Sequence, residues 1–141
     1  VGNHRHAPEI EQMIARVSGE TVSVSFTPHL LPMNRGMITT TYGAMRPGVS
    51  VNDIRDIYAK AYDKEPFIHL EAEGVVPQTR HVRGSNQFRL GIFADRRPGH
   101  IIFIGVIDNL TKGSSGQAMQ NANLMLGLDE TTGLMNAPMY P

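Results

Sequence analysis

With 141 residues the chain has the length of one domain and enough material to bury a core. Thirteen basic residues balance thirteen acidic ones, for a formal net charge of zero, which argues against a nucleic-acid binder that displaces counterions from a basic face. There is no cysteine, so disulfides, thiolate metal sites and a cysteine nucleophile are excluded within the chain.

Arg5, His6, Glu9 and Glu11 interrupt any apolar leader, and the longest apolar run, Ile101 to Ile107, is far too short to span a bilayer. The expectation is a cytoplasmic protein that engages neither membrane nor nucleic acid.

Val1-Gly2-Asn3-His4-Arg5-His6 carries functional groups with no lead-in, as though the chain opened inside a domain. Ala7-Pro8-Glu9-Ile10 reads as a helix start, because proline needs no amide partner there and Glu9 and Glu11 face the positive end of the dipole. Ile10, Met13, Ile14 and Val17 make one apolar stripe, and Gly19 ends the helix. Thr21 to Phe26 alternates, with Val22, Val24 and Phe26 on one side, which predicts a half-buried strand. Two prolines make Thr27 to Met33 an ordered loop. Met37 to Met45 predicts a second strand, with Gly43 as a candidate bulge.

Pro47-Gly48 makes a turn, and Ser50-Val51-Asn52-Asp53 matches a capping box. The helix behind it turns Val51, Ile54, Ile57, Tyr58 and Ala61 inward and Arg55, Asp56 and Lys60 outward. Phe67 to Leu70, Gln87 to Ala94 and His100 to Ile107 are predicted strands. The last has no alternating polar residue, so both its faces are expected to be covered. Lys112 to Gly116 is a glycine- and serine-rich elbow, Gln117 to Leu126 a helix capped by Gly127, and Thr131 to Pro141 an aperiodic tail. Connections such as Arg96 to Gly99 are too short for parallel crossovers. The fold class is therefore α+β: a two-layer domain with a mostly antiparallel or mixed sheet covered by helices.

Four segments carry groups suited to chemistry. In an extended His4-Arg5-His6 both imidazoles share one side, which suits zinc or acid/base work, or else they are two surface histidines. A metal would need a third ligand, and His29, His69, His81 and His100 lack ligand spacing. Pro28 and Pro32 stiffen a loop bearing His29 and Arg35, which is either an anion site or a rigid connector. Arg80 and Arg83, with the Ser85 hydroxyl and the amides around Gly84, suit a phosphate or carboxylate, or form a solvated turn. Lys112-Gly113-Ser114-Ser115-Gly116-Gln117 opens a helix and offers free amides to an anion, although serine and glycine also cap ordinary helices. Gln120 and Asn121 need partners if buried, and a cofactor would supply them.

Taken together, His4-Arg5-His6-Ala7-Pro8-Glu9-Ile10-Glu11-Gln12, Phe26 to Gly36, Gly84-Ser85-Asn86 and Asp108 to Asn123 closely resemble the N-acetyl-γ-glutamyl-phosphate reductase family. The likeness runs to Glu130-Thr131-Thr132-Gly133-Leu134 and covers nearly the whole chain. The resemblance implies an oxidoreductase of arginine biosynthesis that reduces N-acetyl-γ-glutamyl phosphate to the semialdehyde with NADP. It also implies a domain like the carboxyl-terminal one of glyceraldehyde phosphate dehydrogenase. The family's nucleophilic cysteine and dinucleotide fingerprint are expected upstream, so the chain alone is expected to be inactive.

Carried over by residue, the resemblance makes His6, and secondarily His4, the acid/base. It gives Arg5, His29, Arg35, Arg83 and Ser85 to the acyl-phosphate substrate, and Ser114, Gly116, Gln120 and Asn121 to the cofactor, with no metal. Residues 1–111 would form a substrate-binding and dimerisation domain, and residues 112–141 a helix and tail returning to the nucleotide domain. That last helix is expected to be displaced, packed on another subunit or exposed. A dimer or larger homo-oligomer is expected. The alternatives left by the residues themselves are a metal-dependent hydrolase using His4 and His6, and a non-catalytic anion-binding module.

Overall fold

The computed structural model describes residues 4–139 and contains two compact units, Val1–Met33 and Asn34–Pro141. In the first unit, helix α1 (His6–Ser18) begins at His6 rather than at Pro8. The proline still falls in the first turn, where its missing N–H has no intrahelical acceptor to lose. Gly19 closes the helix at φ 75°, and its N–H donates to the Ala15 carbonyl. The apolar stripe is real but open: Met13, Ile14 and Val17 are 55%, 40% and 85% exposed.

The strand expected at Thr21 to Phe26 does not form. Its alternation persists, with Val22, Val24 and Phe26 half-buried between exposed neighbours, and the Val24 N–H donates to the Glu11 carboxylate at 2.8 Å. Period-two burial reports an extended chain, whereas a strand also needs a second backbone beside it.

The second unit is an α+β layer pair. Its elements are β1 (Met37–Ala44), α2 (Val51–Tyr62), β2 (Ile68–Leu70), β3 (Phe88–Ala94), β4 (His100–Ile107) and α3 (Gly116–Met125). The strands lie in the order β1-β4-β3-β2. β4 pairs antiparallel with β1 and β3, while β2 runs parallel to β3, so the sheet is mixed. Residues 71–87 make the parallel crossover, with only a 3-10 turn at Thr79–His81 where a helix is customary. Gly43 opposes Ile101 in an unbroken register, so it marks no bulge.

α2 starts at the expected capping box: the Asp53 N–H donates to Ser50 Oγ, and the Ser50 N–H donates to the Asp53 carboxylate. Val51, Ile54 and Tyr58 press onto Leu90, Ile92, Ile101 and Phe103 of the sheet, with the Tyr58 and Phe103 rings 5.5 Å apart. Three positions on α2 reverse expectation. Ala61, expected inward, is exposed. Ile57 is 62% exposed. Arg55 is half-buried and donates to the carbonyls of Glu71 at 2.7 Å and Ile92 at 3.3 Å. Its aliphatic stem tolerates the layer interface while its guanidinium finds backbone acceptors.

On the opposite face the crossover approaches Gly91 so closely that a Cβ there would lie 2.8 Å from Pro77. Toward β1 that face opens, leaving Ile38 and Tyr42 45% and 63% exposed.

Candidate active site

In the first unit, the His4 and His6 rings sit 4.8 Å apart in an edge-on arrangement, and both lie against Phe26 at 5.3 and 6.3 Å. They meet because the backbone turns into α1 between them, not because an extended chain aligns them. The His6 backbone N–H donates to His4 Nδ1 at 3.3 Å, which leaves the proton of a neutral His4 on Nε2. Arg5 is exposed, and the exposed His29 keeps its Nδ1 within 3.1 Å of the Thr27 carbonyl. Among the described residues, no three His, Cys, Asp or Glu side chains gather as metal ligands.

In the second unit, sequence reasoning missed the organising group. Asp108 is completely enclosed. Its Oδ1 accepts the N–H of Leu110 at 2.8 Å and of Thr111 at 3.1 Å. Its Oδ2 accepts the Gly84 N–H and an Arg35 Nη2 hydrogen at 2.7 Å. Arg35 Nη2 also donates to Thr111 Oγ1 at 3.1 Å, and Asn109 Oδ1 accepts the Gly36 N–H at 2.7 Å. Burial works against ionisation of Asp108, but the donors of Gly84, Arg35, Leu110 and Thr111 outweigh it and hold its carboxyl below the usual value of 3.8.

An aspartate accepting N–H bonds two and three residues on is an N-cap pattern, and that was the signal available in the sequence. The segments bearing Arg35 and Gly84 are thus fastened to the start of the last helix by one carboxylate. Ser85 is enclosed within that turn, its hydroxyl donating to the Val82 carbonyl and accepting the Gln87 N–H. The Arg83 carbonyl accepts the Met139 N–H at 2.7 Å.

Several amides of the glycine-serine elbow are already taken. Thr111–Ser115 form a π-helical turn continuous with α3, in which Gly113, Ser115 and Gly116 N–H groups donate to the carbonyls of Asp108, Leu110 and Thr111. The Asp108 carboxylate already occupies the positive end of that helix.

The cofactor candidates separate accordingly. Ser114 and Asn121 are exposed, Asn121 accepting from Gln117, whereas Gly116 and Gln120 are buried. Gln120 finds its partners inside the unit. Its Oε1 accepts from Asn86 at 2.9 Å and from Lys112 at 2.6 Å, and its Nε2 donates to Glu130. Burial lowers the Lys112 pKa, an effect that Glu130 and Glu65 oppose. Asn123 is likewise buried and donates to the carbonyls of Glu130 and Thr132.

α3 is therefore polar on its inner side and apolar outside, with Met119, Leu124 and Met125 48%, 57% and 86% exposed. Its polar side is anchored, not displaced. Its apolar side is exposed.

Comparison with known proteins agrees with this architecture. Residues 1–109 match the family described as the semialdehyde dehydrogenase dimerisation domain, and the chain belongs to that family. It is 53% identical over 141 residues to a protein of Arabidopsis thaliana named probable N-acetyl-gamma-glutamyl-phosphate reductase, chloroplastic, covering 100% of this chain and 35% of that one. It is 50% identical to the N-acetyl-gamma-glutamyl-phosphate reductase of Geobacter sp. (strain M21), covering 99% of this chain and 40% of the relative. The reductase of Rhodospirillum rubrum is also 50% identical, over 100% of this chain and 40% of its own length. The chain thus spans well under half the length of these relatives. The fold is similar to that of aspartate semialdehyde dehydrogenase II from Vibrio cholerae, solved with ASA, at a TM-score of 0.56 and 21% identity, covering 69% of this chain and 29% of that one.

Proposed function

We propose that the chain is the substrate-binding and dimerisation part of an N-acetyl-γ-glutamyl-phosphate reductase. This is an NADP-dependent oxidoreductase that makes N-acetylglutamate semialdehyde from the acyl phosphate in arginine biosynthesis. What carries the reading is identity of 53% and 50% to proteins so named, maintained along essentially the whole chain. Having no cysteine, the chain alone is inactive, and the thiol comes from polypeptide outside it. NADP, when bound, supplies the hydride, and its phosphates are held elsewhere. On this chain Ser114 and Asn121, which are exposed, and Gly116 and Gln120, which are buried, lie near it in this reading.

His6 is the proton carrier in this reading. A neutral imidazole there takes the thiol proton and returns it to the oxygen that develops negative charge. His4, hydrogen-bonded to the His6 backbone, steadies the first turn of α1. In the second unit Arg35 and Arg83 meet the substrate's phosphate and carboxylate oxygens; in the first unit Arg5 and His29 are the candidates for those oxygens. Arg35 does so through Nη1, since Nη2 is committed to Asp108 and Thr111. Ser85 serves by shaping the turn that presents Arg83.

The open sheet face around Tyr42 and Ile102 is the surface for a second copy, giving a homo-oligomer. The outward apolar side of α3 rests on the remainder of the reductase. The compartment is the cytoplasm. The test is NADPH consumption with N-acetyl-γ-glutamyl phosphate, using the chain alone and the chain joined behind the amino-terminal part of the Geobacter relative. Turnover is expected only in the joined protein. Turnover by the chain alone, or none in the joined protein, contradicts the reading.

A further inference from the structure

We propose that Asp108 is a positioning residue for the substrate's anionic end: it aims the Arg35 guanidinium and sets the turn bearing Arg83. The proposal rests on the reductase reading above. Asp108 presents one enclosed charge to donors from three stretches of chain, near Arg35, at Gly84 and at Leu110-Thr111. Three of these donors are backbone N–H groups, and a neutral cap such as asparagine would satisfy them. Only Arg35 requires the negative charge.

The arginine side chain reaches solvent, unlike the carboxylate that holds it. It is 25% exposed while that of Asp108 is 0%. Nη2 is fixed from two sides, by Asp108 and by Thr111 Oγ1. Nη1, with two donors, makes no hydrogen bond among the described residues, and Nε is buried without one. A guanidinium clamped at one nitrogen and open at the other is preorganised for a phosphate or carboxylate oxygen. Its rotamer entropy is already lost before the ligand arrives. The Asn109–Gly36 bond holds the backbone beside it, so the aim of Arg35 depends on the same helix start.

The experiment is a double-variant cycle in the joined reductase. Asp108→Asn should raise KM for the acyl phosphate about tenfold with kcat within about twofold, because an ionic hydrogen bond that aims a binding group is lost. Arg35→Gln should raise KM by a similar factor, and the double variant should go no further. A merely structural cap would instead lower the melting temperature and kcat with KM unchanged, and that result overturns the proposal.

A second readout needs neither turnover nor a folded variant. Nitrogen-15 NMR of the unaltered chain should show hindered rotation of the Arg35 guanidinium, as separate Nη1 and Nη2 signals near 10 °C (roughly, cold enough to slow unrestrained rotation). Averaged Nη signals overturn the proposal. If the unaltered joined protein shows no reduction, the reductase reading fails, and the positioning role tied to it fails with it. If it turns over while KM ignores Asp108→Asn, only the positioning role fails.

Discussion

Asn86 and Gly116 pack so closely that a methyl group on the glycine would lie 2.3 Å from Asn86 Oδ1. The same carbon would stand 2.9 Å from the Thr111 carbonyl oxygen, which is backbone and cannot swing aside. Asn86 is 1% exposed and its Nδ2 is already given to Gln120, so neither side of the contact has room to yield. Glycine is required at this point by proximity and not by a special φ, which is −67°.

Gly116→Ala should therefore destabilise the second unit by about 1–3 kcal/mol through overpacking. Urea unfolding checks this, and an unchanged midpoint would mean that α3 does not sit against Asn86 in solution.

Asp108 also sets an acid limit. Its folded-state pKa lies below the ordinary 3.8 of the unfolded chain. The stabilisation is thus fully present above that ordinary value and is lost as pH falls through the folded one. The urea midpoint of the parent chain should drop between about pH 5 and about pH 3, and the drop should be shallower in Asp108→Asn. Equal slopes in the two proteins would show that Asp108 is not ionised against its donors.

How far the sequence carried can be judged from single residues. Side-chain pattern and composition located α2 and all four strands of the sheet to within a residue, and Ser50 with Asp53 marked the α2 start, because these are local signals. What failed was whatever depends on a distant partner. Thr21 to Phe26 has the composition of a strand and lacks a ladder. The parallel pairing of β2 with β3 left no trace, since its crossover contains no helix. Gln120 and Asn123 share one side of α3, yet spacing alone does not say whether that side faces in or out. The π turn at Thr111–Ser115 follows from Asp108 anchoring one end and Asn86 crowding the other, and both are tertiary facts. Of the site, the arginines and histidines were visible as residue types. The carboxylate that holds Arg35 was visible only as one letter of a motif.

The sheet face that carries Tyr42, Ile102 and Phe93 in register is the proposed contact between copies. Ile102→Lys puts an ammonium in the middle of that row and should shift the protein toward monomer in sedimentation velocity without altering its circular dichroism. A parent chain already monomeric at high concentration would refute the contact.

What separates a chain that does chemistry from one that only grips anions is the proton assigned to His6. The direct measurement is kcat for His6→Asn in the joined reductase, with KM for the acyl phosphate recorded alongside. A fall of about a hundredfold or more in kcat with little change in KM is predicted for loss of a general acid/base. Undiminished kcat, with only KM altered, would contradict it and leave the chain a binding surface.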